Sequence, residues 1–403
     1  MPLHALVVVP DPASAAVQAA TCPAGYPALL RCPKLVIFGH GLNGSKETLL
    51  TNAATLASHG FIAAAIDFPL HGGRNWCGAD ADCVNPDQSA GAAGSCDKSN
   101  AFAGSAGQGD AVRPGICAAG TSPRVFSAPG VNVASRYFVS ANFFRSRDAF
   151  RQNALDVSAL TLALNRPPAA AGYPPQPAPG TNPFVNALGA LGLAVDPTTT
   201  YYEGISLGSI AGTSAVAVNP RISRASLSVG GGTFIDIGIT SPAFQVSLAP
   251  LFTGLLQGAG ALPPGTAFTF SMIDPTSPTF DPVVAAAFLQ IVNLAKWIMD
   301  PGDPINYAQH LRTSPLPDLL STTPGALQAP KEIFSQIALG DTVVPNPTSF
   351  LLDGLSAGHV TVYDGPGAEH SMLGRHPTVQ AHAARFLLDL TVPPATVTIP
   401  LAP

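Results

Sequence analysis

Two short apolar runs, Lys34-Leu35-Val36-Ile37-Phe38 and Phe61-Ile62-Ala63-Ala64-Ala65-Ile66, constrain this chain more than any other feature. Neither alternates polar with apolar residues, so each reads as a strand buried on both faces. The segment between them starts at Ser45, carries Glu47 and Thr48 in its first turn and ends near Gly60, which predicts a helix. Strand, helix and strand at this spacing make a βαβ unit. A parallel sheet with helices on its faces follows, hence an α/β fold.

The alternation continues downstream. Residues 147–166 have helical spacing, with Phe150, Leu155, Val157, Leu160, Leu162 and Leu164 apolar. A β-type run leads into Ser206, and the small residues of Leu207–Val218 suit a helix packed tightly on the sheet. Residues 225–229, 333–339 and 360–363 read as strands, and a helix over 377–388 closes the chain. Two stretches break the pattern. Residues 72–145 hold four cysteines among Gly, Ala and Asp, and read as a disulfide-tied loop insertion at the rim of the sheet. Residues 233–328 hold two strongly apolar helical segments, 246–252 and 283–297, between Pro/Gly loops, and read as a helical cap or lid. Residues 167–183 are a Pro-rich surface connector. One domain over 1–403 with these two insertions is the expected organisation.

Composition excludes several classes. The chain is 46% hydrophobic, so disorder is not its main state. Charged residues make up 11%, the net charge is −5 and no Lys/Arg cluster occurs, which leaves nucleic-acid binding without electrostatic support. No unbroken apolar run of about 20 residues predicts a transmembrane helix. The six cysteines, Cys22, Cys32, Cys77, Cys83, Cys96 and Cys117, form no Cys-x-x-Cys pair, so no metal site is expected. Their even number in polar loops points to three disulfides in an oxidising compartment. Locality favours Cys22–Cys32, Cys77–Cys83 and Cys96–Cys117. The segment at Met1-Pro2-Leu3 has no signal-peptide pattern, as in the mature form of a secreted or periplasmic protein.

Chemistry enters at Gly204-Ile205-Ser206-Leu207-Gly208. Gly-x-Ser-x-Gly between a strand and a helix describes a sharp turn that lifts a serine above the sheet. In a Gly-rich chain the pattern alone is also met as a plain Gly-Ser turn. A serine nucleophile needs a base within reach, and the base needs an acid to fix its tautomer. Asp341 follows a predicted strand in Gly340-Asp341-Thr342-Val343-Val344-Pro345, and His370 follows the next strand. Ser206, Asp341 and His370 thus fit in order and position. Asp236 and Asp364 are the rival acids; an Asp after a strand is also a common helix N-cap. His359, His376 and His382 are the rival bases, with His376 and His382 expected at the surface. Developing oxyanion charge needs preorganised N–H donors. The Leu207 N–H is one candidate. The Leu42 N–H, in Gly39-His40-Gly41-Leu42-Asn43-Gly44, is the other.

The His-Gly loop, Asp67-Phe68-Pro69-Leu70-His71-Gly72, Gly-x-Ser-x-Gly, Gly-Asp-x-x-Val-Pro and the late histidine occur in one order over residues 34–390. In this the chain resembles the α/β-hydrolase superfamily. Within it, the Gly-Ile-Ser-Leu-Gly-Ser elbow and the layout look similar to bacterial extracellular lipases of the virulence-factor type. Ile205 departs from the His common at that position in lipases, and the Cys-rich insertion is a further departure. The resemblance implies an α/β-hydrolase fold and a serine esterase or lipase without a cofactor. Its substrate would be a small-molecule, lipid or polymeric ester, and the chain would act as a monomer. His71 is expected to be a structural loop residue. Phe252, Phe288 and Trp297 of the 233–328 insertion are expected to line an acyl or aromatic pocket. The alternatives are a peptidase or amidase with the same triad, a thioesterase or acyltransferase, or an inactive hydrolase fold serving as a binding module.

Overall fold

The computed structural model describes residues 4–24, 26–74, 77, 80–84, 94–97, 116–118, 122–123, 138, 142–165 and 183–400. Its centre is an eight-stranded sheet. The strands are β1 (Ala5–Val8), β2 (Leu35–Gly39), β3 (Ile62–Ile66), β8 (Thr200–Ile205), β9 (Ile222–Ser228), β10 (Glu332–Ala338), β11 (His359–Asp364) and β12 (Thr396–Thr398). They lie in the order β1-β3-β2-β8-β9-β10-β11-β12. β1 is antiparallel to β3, and every other pair is parallel.

Alternation along the buried strands explains the layers. Leu35 and Ile37 of β2 join one core with Val157, Leu160 and Ala215, from helices Phe143–Leu164 and Leu207–Val218. Val36 and Phe38 join the other core with Leu56, Ala384 and Phe386, from helices Ala53–Ser58 and Pro377–Asp389. Successive strand side chains point to opposite faces, so an all-apolar strand fills two cores at once. A mostly parallel sheet in this order, edged by an antiparallel strand and covered by helices on both faces, is the α/β-hydrolase fold.

A third apolar cluster sits over the elbow. It joins Leu207, Ile210 and Val344 to Leu248, Phe252 and Phe288. The last three come from helices Pro242–Gly258 and Pro282–Met299, which cover the two apolar segments expected as helical. By length and composition Pro282–Met299 is also able to cross a membrane. Its Val284, Phe288, Val292, Ala295 and Met299 stripe is nevertheless buried against the rest of the chain.

Four short strands tie the Cys-rich stretch: β4 (Cys83–Val84) pairs β7 (Ser122–Pro123), and β5 (Cys96–Asp97) pairs β6 (Ile116–Cys117). Cys22–Cys32 is bonded as expected. The other two pairings are corrected. The bonds are Cys77–Cys96 and Cys83–Cys117, not Cys77–Cys83 and Cys96–Cys117. Cys96 and Cys117 are register partners on adjacent strands, so both side chains point to one side of the ladder. The sulfurs of Cys77, Cys83 and Cys117 lie within 4.8 Å of one another there, and neighbours in space override neighbours in sequence. The rest of residues 72–145, and residues 167–182 of the expected connector, lie outside the described residues.

Candidate active site

Ser206 lies at the N-cap of helix Leu207–Val218 with φ 55° and ψ −121°. A non-glycine residue there is strained, and the strain persists because the surroundings over-determine it. The Ser206 N–H donates to the Ser228 carbonyl at 2.9 Å. Glycine is required on either side. A Cβ on Gly204 would lie 2.6 Å from the Gly208 carbonyl oxygen, and a Cβ on Gly208 would lie 2.0 Å from that of Gly39.

His370 Nε2 is 2.7 Å from Ser206 Oγ, and His370 Nδ1 is 2.7 Å from Asp341 Oδ2. An ionised carboxylate only accepts, so Nδ1–H donates to Asp341 and Nε2 accepts from the serine hydroxyl. Asp341 Oδ1 accepts from the N–H groups of Val343 at 2.8 Å and Val344 at 3.1 Å. Asn346 secures the same loop. Its Oδ1 accepts from the Gly340 N–H and its Nδ2 donates to the Ala338 carbonyl, both at 2.7 Å. The structure thus brings Ser206, His370 and Asp341 into one hydrogen-bonded chain.

The rivals lie outside this hydrogen-bonded chain, with Asp364 at the end of β11. Asp236 pairs with Lys296 at 2.6 Å. His359 opens β11, and His382 meets the Tyr363 hydroxyl at 2.9 Å. His376, expected at the surface, is buried, with Nε2 donating to the Pro400 carbonyl at 2.8 Å. The segment at Ile399-Pro400 lies against His376 at the start of the closing helix.

The loop after β2 passes directly over the serine: a Cβ on Gly41 would lie 3.3 Å from Ser206 Cβ. Leu42 and Leu207 both border the same pocket as Ser206. Among the described residues no protein acceptor takes the Leu42 N–H. Leu207 is the first residue of its helix, so its N–H has no acceptor one turn back. His40 fixes this loop from behind. Its Nδ1–H donates to the Gly41 carbonyl at 2.8 Å, and its Nε2 accepts from the Phe68 N–H at 2.9 Å. Both roles need a neutral ring, and burial holds its pKa below the ordinary value. His71 is buried as well. Its Nδ1–H donates to the Pro69 carbonyl, and burial drives its pKa down to about 3, so it stays neutral and braces its own turn.

The pocket in front of Ser206 is almost wholly apolar. Leu42, Phe143, Ile210, Phe234, Leu248 and Phe252 are among its walls, and among the described residues Ser146 is the other hydroxyl there. Ser146 Oγ is already donating, to the Phe138 carbonyl. Of the three expected wall residues, Phe252 borders the pocket. Phe288 stands one layer behind it, with ring centroids 4.7 Å apart. Trp297 is 72% exposed on the outer side of its helix. Ile210 and Val344 also border the pocket, and neither is among the residues expected there. The signals for them were local: Ile210 lies one turn beyond Leu207, and Val344 sits in the same short motif as Asp341.

Glu203 lies three residues before Ser206 and is fully buried. Its Oε2 accepts from Asn52 Nδ2 at 2.7 Å, and burial pushes the carboxyl up to about 8. The folded-state value lies above the unfolded one, so folding takes up a proton in the window between them. The stability gained from neutral Glu203 is full below the ordinary carboxylate range and is lost as pH rises towards about 8. Glu203→Gln removes this titration and lets the new amide donate to Asn52 Oδ1, which has no partner now. Thermal melts at about pH 5 and about pH 9 should show a smaller fall for the variant than for the parent; equal falls would contradict the assignment.

No protein-family model matches the chain, and no curated protein sequence matches it. Solved structures do resemble it. An acylaminoacyl peptidase from Pyrococcus horikoshii is 10% identical with a TM-score of 0.42, and the match covers 97% of this chain and 39% of that one. An enol-lactonase from Burkholderia xenovorans is 13% identical with a TM-score of 0.39, covering 96% of each chain. A monoacylglycerol lipase from Paleococcus ferrophilus is 12% identical with a TM-score of 0.38, covering 97% of this chain and 100% of that one. The chain therefore spans about two fifths of the peptidase and nearly all of the other two.

Proposed function

We propose that this chain of α/β-hydrolase fold is a serine hydrolase that cleaves carboxylic esters with an apolar acyl group. One observation carries the reading. The Ser206–His370–Asp341 chain, with 2.7 Å at each link, opens onto a pocket walled by Leu, Ile, Phe and Val side chains. In this reading His370 Nε2 takes the Ser206 proton as Oγ attacks the ester carbonyl. Asp341 holds the imidazole in the required tautomer and stabilises its charged form. The Leu42 and Leu207 N–H groups donate to the developing oxyanion. The alcohol leaves with the proton from Nε2. Water then repeats the sequence on the acyl-enzyme and regenerates Ser206.

The apolar walls suit the acyl part, which gains free energy by leaving water. Residues 233–328 then act as a cap that supplies Phe252 to this pocket, with Phe288 supporting it from behind. The three disulfides support an extracellular or periplasmic setting.

A fluorophosphonate probe should label the chain, and Ser206→Ala should abolish labelling. A series of p-nitrophenyl esters of rising acyl length should show turnover that depends on chain length. Negligible turnover throughout would sink the ester reading. Faster turnover of a matched p-nitroanilide would redirect it to a peptidase.

A further inference from the structure

Two glycines beside the elbow, Gly39 and Gly212, make room for one side chain. A Cβ on Gly39 would lie 2.1 Å from the Tyr202 hydroxyl, and a Cβ on Gly212 would lie 2.3 Å from the Tyr202 ring. Gly208, one turn before Gly212, meets the Gly39 carbonyl directly. The Tyr202 ring therefore fills the wedge between the end of β2 and the first two turns of helix Leu207–Val218. Its hydroxyl donates to the Gly208 carbonyl at 2.7 Å. Only 1% of Tyr202 is exposed, and burial holds the phenol well above its ordinary value, so it remains an O–H donor at any working pH. A phenylalanine would fill the same wedge without a polar atom to desolvate. The hydroxyl calls for a reason beyond packing.

That reason lies just above it. The two N–H groups assigned to the oxyanion come from separate segments. Leu42 is three residues past the end of β2, and Leu207 opens the helix. The separation of these donors is set by how closely the end of β2 approaches the helix. Tyr202 Oη sits in that gap, against Gly39 and bonded to Gly208. We propose that Tyr202 is a positioning residue for the oxyanion hole, its hydroxyl holding the Leu42 loop and the Leu207 turn in register so that both N–H groups reach one oxygen. The inference rests on the serine-hydrolase reading above. His40 holds the same loop through its own bonds to the Gly41 carbonyl and the Phe68 N–H. A hydrogen bond weakens steeply as its angle and length depart from the optimum, and small displacements of a catalytic group cost far more in rate than in stability.

Tyr202→Phe keeps the ring and removes one oxygen atom. In the purified full chain, kcat for a p-nitrophenyl ester should fall about tenfold, less than the roughly 10²-fold cost of losing an oxyanion donor outright. KM should stay within about twofold, because the ground-state carbonyl makes little use of the hole. Inhibition by an alkylboronic acid, which forms a tetrahedral adduct on the serine, should weaken by the same factor as kcat. Thr161→Val serves as the control. It removes a buried hydroxyl bond of the same kind, Thr161 to the Val157 carbonyl at 2.8 Å, from a helix distant in sequence. It should leave kcat and boronate inhibition unchanged. Thermal melting of both variants confirms that each is folded. A folded Tyr202→Phe with parental kcat and parental boronate inhibition overturns the proposal. So does an equal loss in Thr161→Val, which would assign the effect to general loosening. If the parent neither turns over esters nor reacts with a fluorophosphonate, the hydrolase reading fails and this inference falls with it.

Discussion

His370→Ala is expected to lower kcat for ester substrates by about 10⁶-fold while leaving KM within about an order of magnitude. His370 Nε2 is the acceptor 2.7 Å from Ser206 Oγ. Without it the hydroxyl keeps its proton, and a neutral serine is a poor nucleophile at neutral pH. The substrate still meets the apolar pocket, so ground-state binding persists. The residual rate should come from the oxyanion donors and from binding alone. Folding is not at issue, because the imidazole is partly exposed and its two partners lie on separate, independently held loops. Pre-steady-state and steady-state kinetics on a p-nitrophenyl ester check this. A variant that keeps more than about one part in 10² of the parental kcat would show that another group serves as base.

The central sheet was legible first at β2 and β3, which are apolar without alternation. Val36-Ile37-Phe38, and Ala63-Ala64-Ala65 between Ile62 and Ile66, are apolar runs of strand length that end in turn residues, and both are buried on both faces. The edges were harder. β1 and β12 carry partly exposed residues and short runs, and edge strands lose the two-sided burial that makes a strand readable. Ser206, Asp341 and His370 could be placed because each lies in the turn or loop that follows a strand. The pocket wall was less readable. It is assembled from Phe143, Ile210, Phe234 and Phe252, which lie on four separate helices. A helical apolar stripe shows that a face is buried, not which cavity it borders, and so Trp297 and Phe252 look alike in sequence. Helical phase separates them: Val284, Phe288, Val292, Ala295 and Met299 hold the inner stripe, which leaves Trp297 outside. The disulfide pairing expected from locality fails for a related reason: the sulfurs of Cys77, Cys83 and Cys117 gather within 4.8 Å of one another although Cys117 lies far along the chain from the other two.

Asp341→Asn should cost about 10⁴-fold in kcat with little change in KM, and the hydrogen bonds around Asp341 say why. Oδ1 accepts from two backbone N–H groups, those of Val343 and Val344. An asparagine must keep its carbonyl oxygen on those donors, because turning the amide would set its NH₂ against them. The NH₂ group is thereby forced onto His370 Nδ1, where the carboxylate oxygen stands now at 2.7 Å. A donor at that place requires Nδ1 to accept. The imidazole then carries its proton on Nε2, which points at Ser206 Oγ and can no longer take the serine proton. The substitution changes one atom and almost no volume, so melting temperature should move little while the base is held in the wrong tautomer. Asp341→Ala is the informative comparison. It leaves the imidazole free to choose its tautomer and should retain as much activity as the asparagine variant or more. Near-parental kcat in Asp341→Asn would mean that the Asp341 link to His370 serves the fold rather than the chemistry.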